Sequence, residues 1–358
     1  MPKLSIICPC FNHEKFIDEF LQSFINQTEK DIELIIIDDC STDNTVNIIK
    51  SYNDNRITLI ENEYNMGINR TIKKGIYASN APIFGICASD DILFPYYAET
   101  VINIFNYNPN IHSFFTTVEK VDINGKLLND RFESPFHLTK YEVLEKLFLH
   151  NFIPAPGSAF KRDSVINSII IPPGLFQFQD YHFHIQMLLK FDTFFHKEPL
   201  VYYRISNNSV SINNDKKTVL RSNIEHSYIL DLYYNINNVN VLKNIFKNNS
   251  VFEKLGEPIP ETIPFFVCLV ALESYNHQNA LWGYHSLIKY ISNDNNQQLI
   301  YDLYGIQFKD IINEAKFLPL PESKKDKKIK SLRKKRNIAI FLCILLFIIN
   351  IMMLYFHI

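Results

Sequence analysis

Four short apolar runs, Leu4–Cys8, Leu34–Ile37, Ile57–Ile60 and Ile83–Ala88, punctuate the first part of the chain. A strand that is apolar at nearly every position must be covered on both faces, which a parallel strand flanked by helices achieves and a half-solvated strand does not. Between the runs the apolar period lengthens. Phe16, Ile17, Phe20, Leu21, Phe24 and Ile25 supply one face of a helix, Val46, Ile48 and Ile49 suggest a second, and Ile72 and Ile76 a third, with Arg70, Lys73 and Lys74 turned outward. The pattern predicts an α/β domain built on a mainly parallel sheet with helices on both faces.

The ends of these runs carry the chemistry. The first stops in Pro9-Cys10-Phe11-Asn12-His13-Glu14, the second in Asp38-Asp39-Cys40-Ser41, and the fourth in Asp90-Asp91. A parallel sheet gathers the carboxyl ends of its strands at one edge, where open α/β sheets bind their ligands. Adjacent carboxylates there suit Mg²⁺ or Mn²⁺, hard cations that take oxygen ligands and share them with a diphosphate. An acidic turn heading the next helix would explain Asp90-Asp91 without any ligand. The loop after the first run has no Gly, which argues against a dinucleotide fingerprint and a phosphate-cradling P-loop.

Composition narrows the function. Hydrophobic residues at 47% and charged residues at 21% describe a globular chain, and 358 residues can bury a full core. The net charge of −2 conceals a tract, Lys324–Arg336, with nine basic residues against one acid, so the remainder carries about −10. Nucleic acid is therefore not an expected partner. The six Cys show no paired metal-ligand spacing and read as reduced core thiols.

Three stretches, SIICPCFNHEKFIDEFLQSFINQT, ELIIIDDCSTDNT and NMGINRTIKKGIYASNAPIFGICASDD, follow one another with a characteristic order and spacing. Together they resemble the amino-terminal half of inverting family 2 glycosyltransferases of the GT-A fold, and the likeness runs from about Leu4 to Ile212. By that resemblance Pro9, Cys10, Asn12 and above all Asp39 contact the nucleoside of a nucleotide sugar. Ala88-Ser89-Asp90 stands where the family carries Asp-x-Asp, so the first Asp is missing, and Asp90 and Asp91 are left to bind the metal and the donor. Gln179-Asp180 stands where inverting members carry Glu-Asp, which makes Asp180 the general base. An acid in the first turn of a helix also gains about 0.3–1 kcal/mol from the helix dipole, a purely structural reason for Asp180. Arg204, closing the Leu200–Arg204 run, falls at a phosphate-contacting position. His182 and His184 are two apart on a predicted helix and point to different faces, which argues against a shared metal.

The resemblance implies transfer of a sugar, with a UDP-sugar as donor, onto a saccharide or lipid-linked acceptor in surface polysaccharide or glycolipid assembly. Two other readings remain: a membrane-tethered module that binds nucleotide sugar without turnover, and a nucleotidyltransferase, which would carry a Gly-rich loop after its first strand. The expected organisation is a catalytic domain over 1–212, a helical extension over 213–322, a basic tract over 323–336 and a transmembrane helix over 337–358. Those last 22 residues span about 33 Å as a helix, enough for a hydrocarbon core of about 30 Å. The basic tract before them predicts a single-pass anchor with the catalytic domain in the cytoplasm.

Overall fold

The computed structural model describes residues 1–205 and 216–314. Strands β1 (Leu4–Cys10), β2 (Ile32–Asp38), β3 (Ile57–Glu61) and β4 (Ile83–Ile86) alternate with helices α1 (Ile17–Ile25), α2 (Thr45–Lys50) and α3 (Ile68–Ala78). All four strands are parallel, with β2 and β4 on either side of β1 and β3 outside β2. The register sets Cys10 opposite Asp38 and Ile7 opposite Ile86, so the three acid-bearing loops leave one edge of the sheet.

The second half of the sheet is mixed. It comprises β5 (Ile92–Leu93), β6 (Ile111–Val121), β7 (Leu127–Phe132), β8 (Ser158–Lys161) and β9 (Asp192–Arg204), with α4 (Tyr97–Tyr107), α5 (Lys140–Leu147), α6 (Arg162–Ser168) and α7 (Gln179–Lys190) between them. The strand order is β3-β2-β1-β4-β8-β6-β9-β5, and β7 pairs with β6. The Asn124-Gly125 turn joins β6 to β7 as a hairpin, with Gly125 at φ +80° and the Asp122 carboxylate accepting the N–H of Asn124 and Lys126. The closing strand, expected at Leu200–Arg204, begins at Asp192 because the long β6 offers it a parallel partner, with register shifts around Thr116 and Thr117.

Side-chain alternation along β1 divides the core. Leu4, Ile6 and Cys8 face a cluster with α1 and α4, whereas Ile7 joins Ile35, Ile37 and Phe84 beneath α3, α5 and α7. Helix α3 lies close on the sheet at Gly75, where a Cβ would stand 2.5 Å from Ile7 Cγ2 and 2.7 Å from Ile37 Cδ1. Gly75→Ala should therefore destabilise the protein by about 1–3 kcal/mol, against the usual gain of replacing Gly within a helix. A thermal or denaturant melt checks the sign.

The remaining described residues are helical: α8 (Lys216–Tyr234), α9 (Val239–Ile245), α10 (Ser250–Leu255), α11 (Ile263–Glu273), α12 (His277–Ile291), α13 (Asp294–Tyr304) and α14 (Phe308–Glu314). The chain breaks between α11 and α12 after Glu273, and the Asn276 side chain caps α12 by accepting the N–H of Gln278 and Asn279. These helices share the cluster under α7 with the sheet. Tyr233 reaches across to donate to the Leu144 carbonyl at 2.7 Å. The basic tract and the 337–358 apolar stretch lie outside the described residues. Among the described residues no helix is long and apolar enough to cross a membrane.

Candidate active site

The loops after β1 and β2 interlock through their polar side chains. Asn12, at φ +53°, donates its N–H to Ser41 Oγ at 2.8 Å and accepts the Thr42 N–H on Oδ1 at 2.8 Å. Left-handed backbone is one that Asn tolerates, so the Pro-x-x-Asn turn has a local reason for its last residue. The Cys10 carbonyl accepts the Asp39 N–H, while burial pushes the Cys10 thiol up to about 12 and keeps it neutral.

Asp39 is 5% exposed and spends its carboxylate on the next loop. Oδ1 accepts from Asn62 Nδ2 at 2.9 Å and the Met66 N–H at 2.7 Å, and Oδ2 accepts the Gly67 N–H at 2.9 Å. Lys74, expected to point outward, donates to Asn62 Oδ1 at 2.7 Å and joins the same network. Asp39 thus fixes the entry to α3, beside the acid-bearing edge.

A cavity of about 550 Å³ opens between this edge and α7. Pro9, Asp90 and Asp91 line one side, and Gln179, Asp180, Phe183 and His184 line the other. The structure therefore brings together Pro9, Asp90, Asp91 and Asp180; Cys10, Asn12 and Asp39 stand in the interlocked loops and do not line this cavity.

The two adjacent acids differ in setting. Asp90 leaves 27% of its side chain exposed, with His13 Nδ1 at 4.0 Å, and that imidazole nitrogen also bonds Ser89 Oγ at 2.7 Å. Asp91 is 1% exposed; its Oδ1 accepts the Arg204 N–H at 3.1 Å and its Oδ2 has no partner. Burial first, then the neighbouring Asp90 charge, raises Asp91 well above the usual carboxylate range. Among the described residues no group of three or more His, Cys, Asp or Glu could hold a metal ion. Two adjacent carboxylates, one facing the cavity and one with an uncommitted oxygen, nevertheless fit a divalent cation whose other ligands come from a diphosphate and water.

The Arg204 guanidinium is fully engaged inside the protein. Its Nε donates to the Asp90 carbonyl at 2.8 Å, Nη1 donates to the carbonyls of Asp122 and Ile123, and Nη2 pairs with Glu19 Oε2. The plane also stacks over Phe16 at 5.0 Å. Arg204 reaches the acid loop as expected, yet its donors hold that loop's backbone to α1 and the β6–β7 turn, which leaves a phosphate contact little to draw on.

Asp180 sits in the first turn of α7 with Oδ1 accepting the Tyr181 N–H at 2.8 Å and Oδ2 accepting from Asn151 Nδ2 at 3.2 Å. Burial outweighs these bonds and raises it to about 6, a value suited to a base that works near neutrality. His182 bonds Gln186 and stacks on Tyr228, whereas His184 lines the cavity, so the two imidazoles are apart as their spacing predicts.

One supporting residue carries no sequence signal. Glu225 of α8, 7% exposed, accepts the backbone N–H of Phe176, Gln177 and Phe178 at 3.2, 2.7 and 2.8 Å. Those amides precede α7 directly, so a carboxylate from the helical region holds the segment that leads into Asp180.

Residues 5–168 match the model of Glycosyl transferase family 2. An uncharacterized glycosyltransferase of Methanocaldococcus jannaschii is 28% identical over 261 residues, 71% of this chain and 85% of that protein. The putative teichuronic acid biosynthesis glycosyltransferase TuaG of Bacillus subtilis is 27% identical over 235 residues, 60% of this chain and 84% of that protein. Among solved structures, residues 1–349 of S. aureus TarS in complex with UDP-GlcNAc align with a TM-score of 0.56 at 16% identity, over 88% of this chain and 90% of that one, a likeness of fold. Sheet order, acid-bearing loops and family match agree: residues 5–168 carry a family 2 glycosyltransferase domain, and the chain is similar to glycosyltransferases of that family and has a GT-A-like mixed α/β fold.

Proposed function

We propose that the chain transfers a sugar from a nucleoside-diphosphate sugar, a UDP-sugar, to an acceptor hydroxyl with inversion at the anomeric carbon. The observation that carries this reading is the convergence of Asp90 and Asp180, far apart in the chain, on one cavity. Asp90, with Asp91 beside it, would hold Mg²⁺ or Mn²⁺, which when bound offsets the charge of the departing diphosphate. Asp180 takes the proton of the acceptor hydroxyl as that oxygen attacks the anomeric carbon from the face opposite the leaving group. Pro9 and the loop held by Asn12 and Asp39 shape the nucleoside end, and Arg204 acts as a positioning residue for the acid loop.

TarS with UDP-GlcNAc supports a uridine donor, and the teichuronic acid assignment of TuaG supports an acceptor in surface polysaccharide or lipid-linked glycan assembly. The 337–358 stretch would anchor the protein in a membrane, with the catalytic domain in the cytoplasm and the basic tract against anionic lipid.

Release of UDP from UDP-sugars by the purified full chain, with Mn²⁺ and with chelator, tests the reading. Turnover that disappears with chelator is the expected result, and no UDP release from any donor would sink it. The pH profile follows from Asp180. A base must be deprotonated to act, so kcat/KM should rise as pH increases through about 6 and then level off. A profile flat from pH 5 to 8 would remove Asp180 from that role.

A further inference from the structure

Residues 170–178, between α6 and α7, contribute Ile171, Gln177 and Phe178 to the cavity wall, between Asn69 of α3 and Asp180 of α7. Pro172-Pro173-Gly174 keeps this stretch out of helix and sheet, and the Leu175 N–H closes a turn on the Pro172 carbonyl at 3.4 Å. Side chains from three helices hold it. Gln186 of α7 bonds both the N–H and the carbonyl of Ile170, at 3.0 and 2.7 Å. Asn69, 4% exposed in the first turn of α3, donates from Nδ2 to the Pro172 carbonyl at 2.5 Å and to the Leu175 carbonyl at 3.0 Å. Glu225 of α8 then accepts the amides of Phe176, Gln177 and Phe178. A carboxamide nitrogen has two N–H donors, and here both go to one turn.

Helix α7 has no side-chain cap of its own, because Phe178 stands at its N-cap. The direction in which Asp180 leaves the helix is therefore set by what holds residues 172–178. The same support reaches the nucleoside loop: Asp39 accepts the N–H of Met66 and Gly67, just ahead of Asn69. We propose that Asn69 is a positioning residue for the general base: by clamping the 172–175 turn it aims Asp180, and through the start of α3 it ties that aim to the loop held by Asp39. The role assigned to Asn69 rests on the transfer reading above and adds to it a residue 111 positions from the base it serves.

The experiment uses the full chain with Mn²⁺. It follows UDP release from whichever of UDP-glucose, UDP-galactose and UDP-N-acetylglucosamine turns over fastest, with water as the nucleophile whose proton the base takes. Asn69→Ala removes the clamp. Asn69→Asp keeps the shape and suits the first turn of a helix, but offers acceptors to two carbonyls. Each should lower kcat by about 10- to 100-fold, the scale for a reacting group displaced by about 1 Å, while UDP affinity stays within about twofold. The double-mutant cycle is the deciding readout. In the Asp180→Asn background either substitution should cost at most about a further twofold, because the group being aimed no longer takes a proton. Melting curves and UDP titration report whether each variant is folded; should Asn69→Ala fail to fold, Asn69→Asp carries the cycle. Full kcat in the Asn69 variants would overturn the assignment, as would a loss that appears as weaker UDP binding. A loss of undiminished size in the Asp180→Asn background would also overturn it, by marking a general structural role. A chain that releases UDP from no sugar nucleotide fails the transfer reading itself, so the two failures are distinct.

Discussion

Asp180→Asn is expected to lower kcat by about 10³-fold at neutral pH while leaving UDP affinity within about twofold, since general-base assistance contributes roughly 10²–10⁴-fold. The amide is nearly isosteric. It can still accept the Tyr181 N–H that Oδ1 accepts at 2.8 Å, so the start of α7 should hold its shape. What it lacks is the capacity to take a proton, and the loss should fall on kcat with little change in donor KM. A variant that keeps full kcat would show that Asp180 serves only the helix terminus.

The second large effect separates two neighbouring acids that the sequence leaves undivided. Asp90→Asn should reduce turnover by about 10²-fold or more and raise the Mn²⁺ concentration needed for half-maximal rate, because a charged ligand facing the cavity becomes a neutral one. Asp91→Asn should cost less, about 10-fold or below, since its amide oxygen can still accept the Arg204 N–H inside the protein while the uncommitted oxygen offered to the cation is lost. Metal titrations of both variants decide the matter. The reverse order of effects would move the cation ligand from Asp90 to Asp91.

The first half of the sheet was legible because its signal is local. Runs such as Leu34–Ile37 are apolar on both faces and stop at Asp38, so strand, edge and acid can be read from a dozen adjacent residues. The positions of Asp90 and Asp180 on one cavity were legible for the same reason, each at the boundary of an element. The start of β9 was not: Lys197, Glu198 and Pro199 break its apolar pattern, and its first residues are a strand because β6 pairs with them. The roles of Asp39 and Arg204 could be placed but not resolved. Whether a polar side chain faces a ligand or its own backbone depends on partners such as Gly67 or Glu19, and Glu19 lies 185 positions from Arg204. His184 was set aside as half of an unsuitable pair, although the spacing that separates it from His182 also puts it on the face of Asp180.

Glu225 leaves no trace in a motif because it binds backbone amides, which every residue but proline possesses. Its reach across the molecule means that the transferase body is not an interchangeable cassette. Joined to a foreign carboxyl-terminal half, it would keep every acid around its cavity, yet the three amides ahead of α7 would need a new anion before Asp180 could be aimed again.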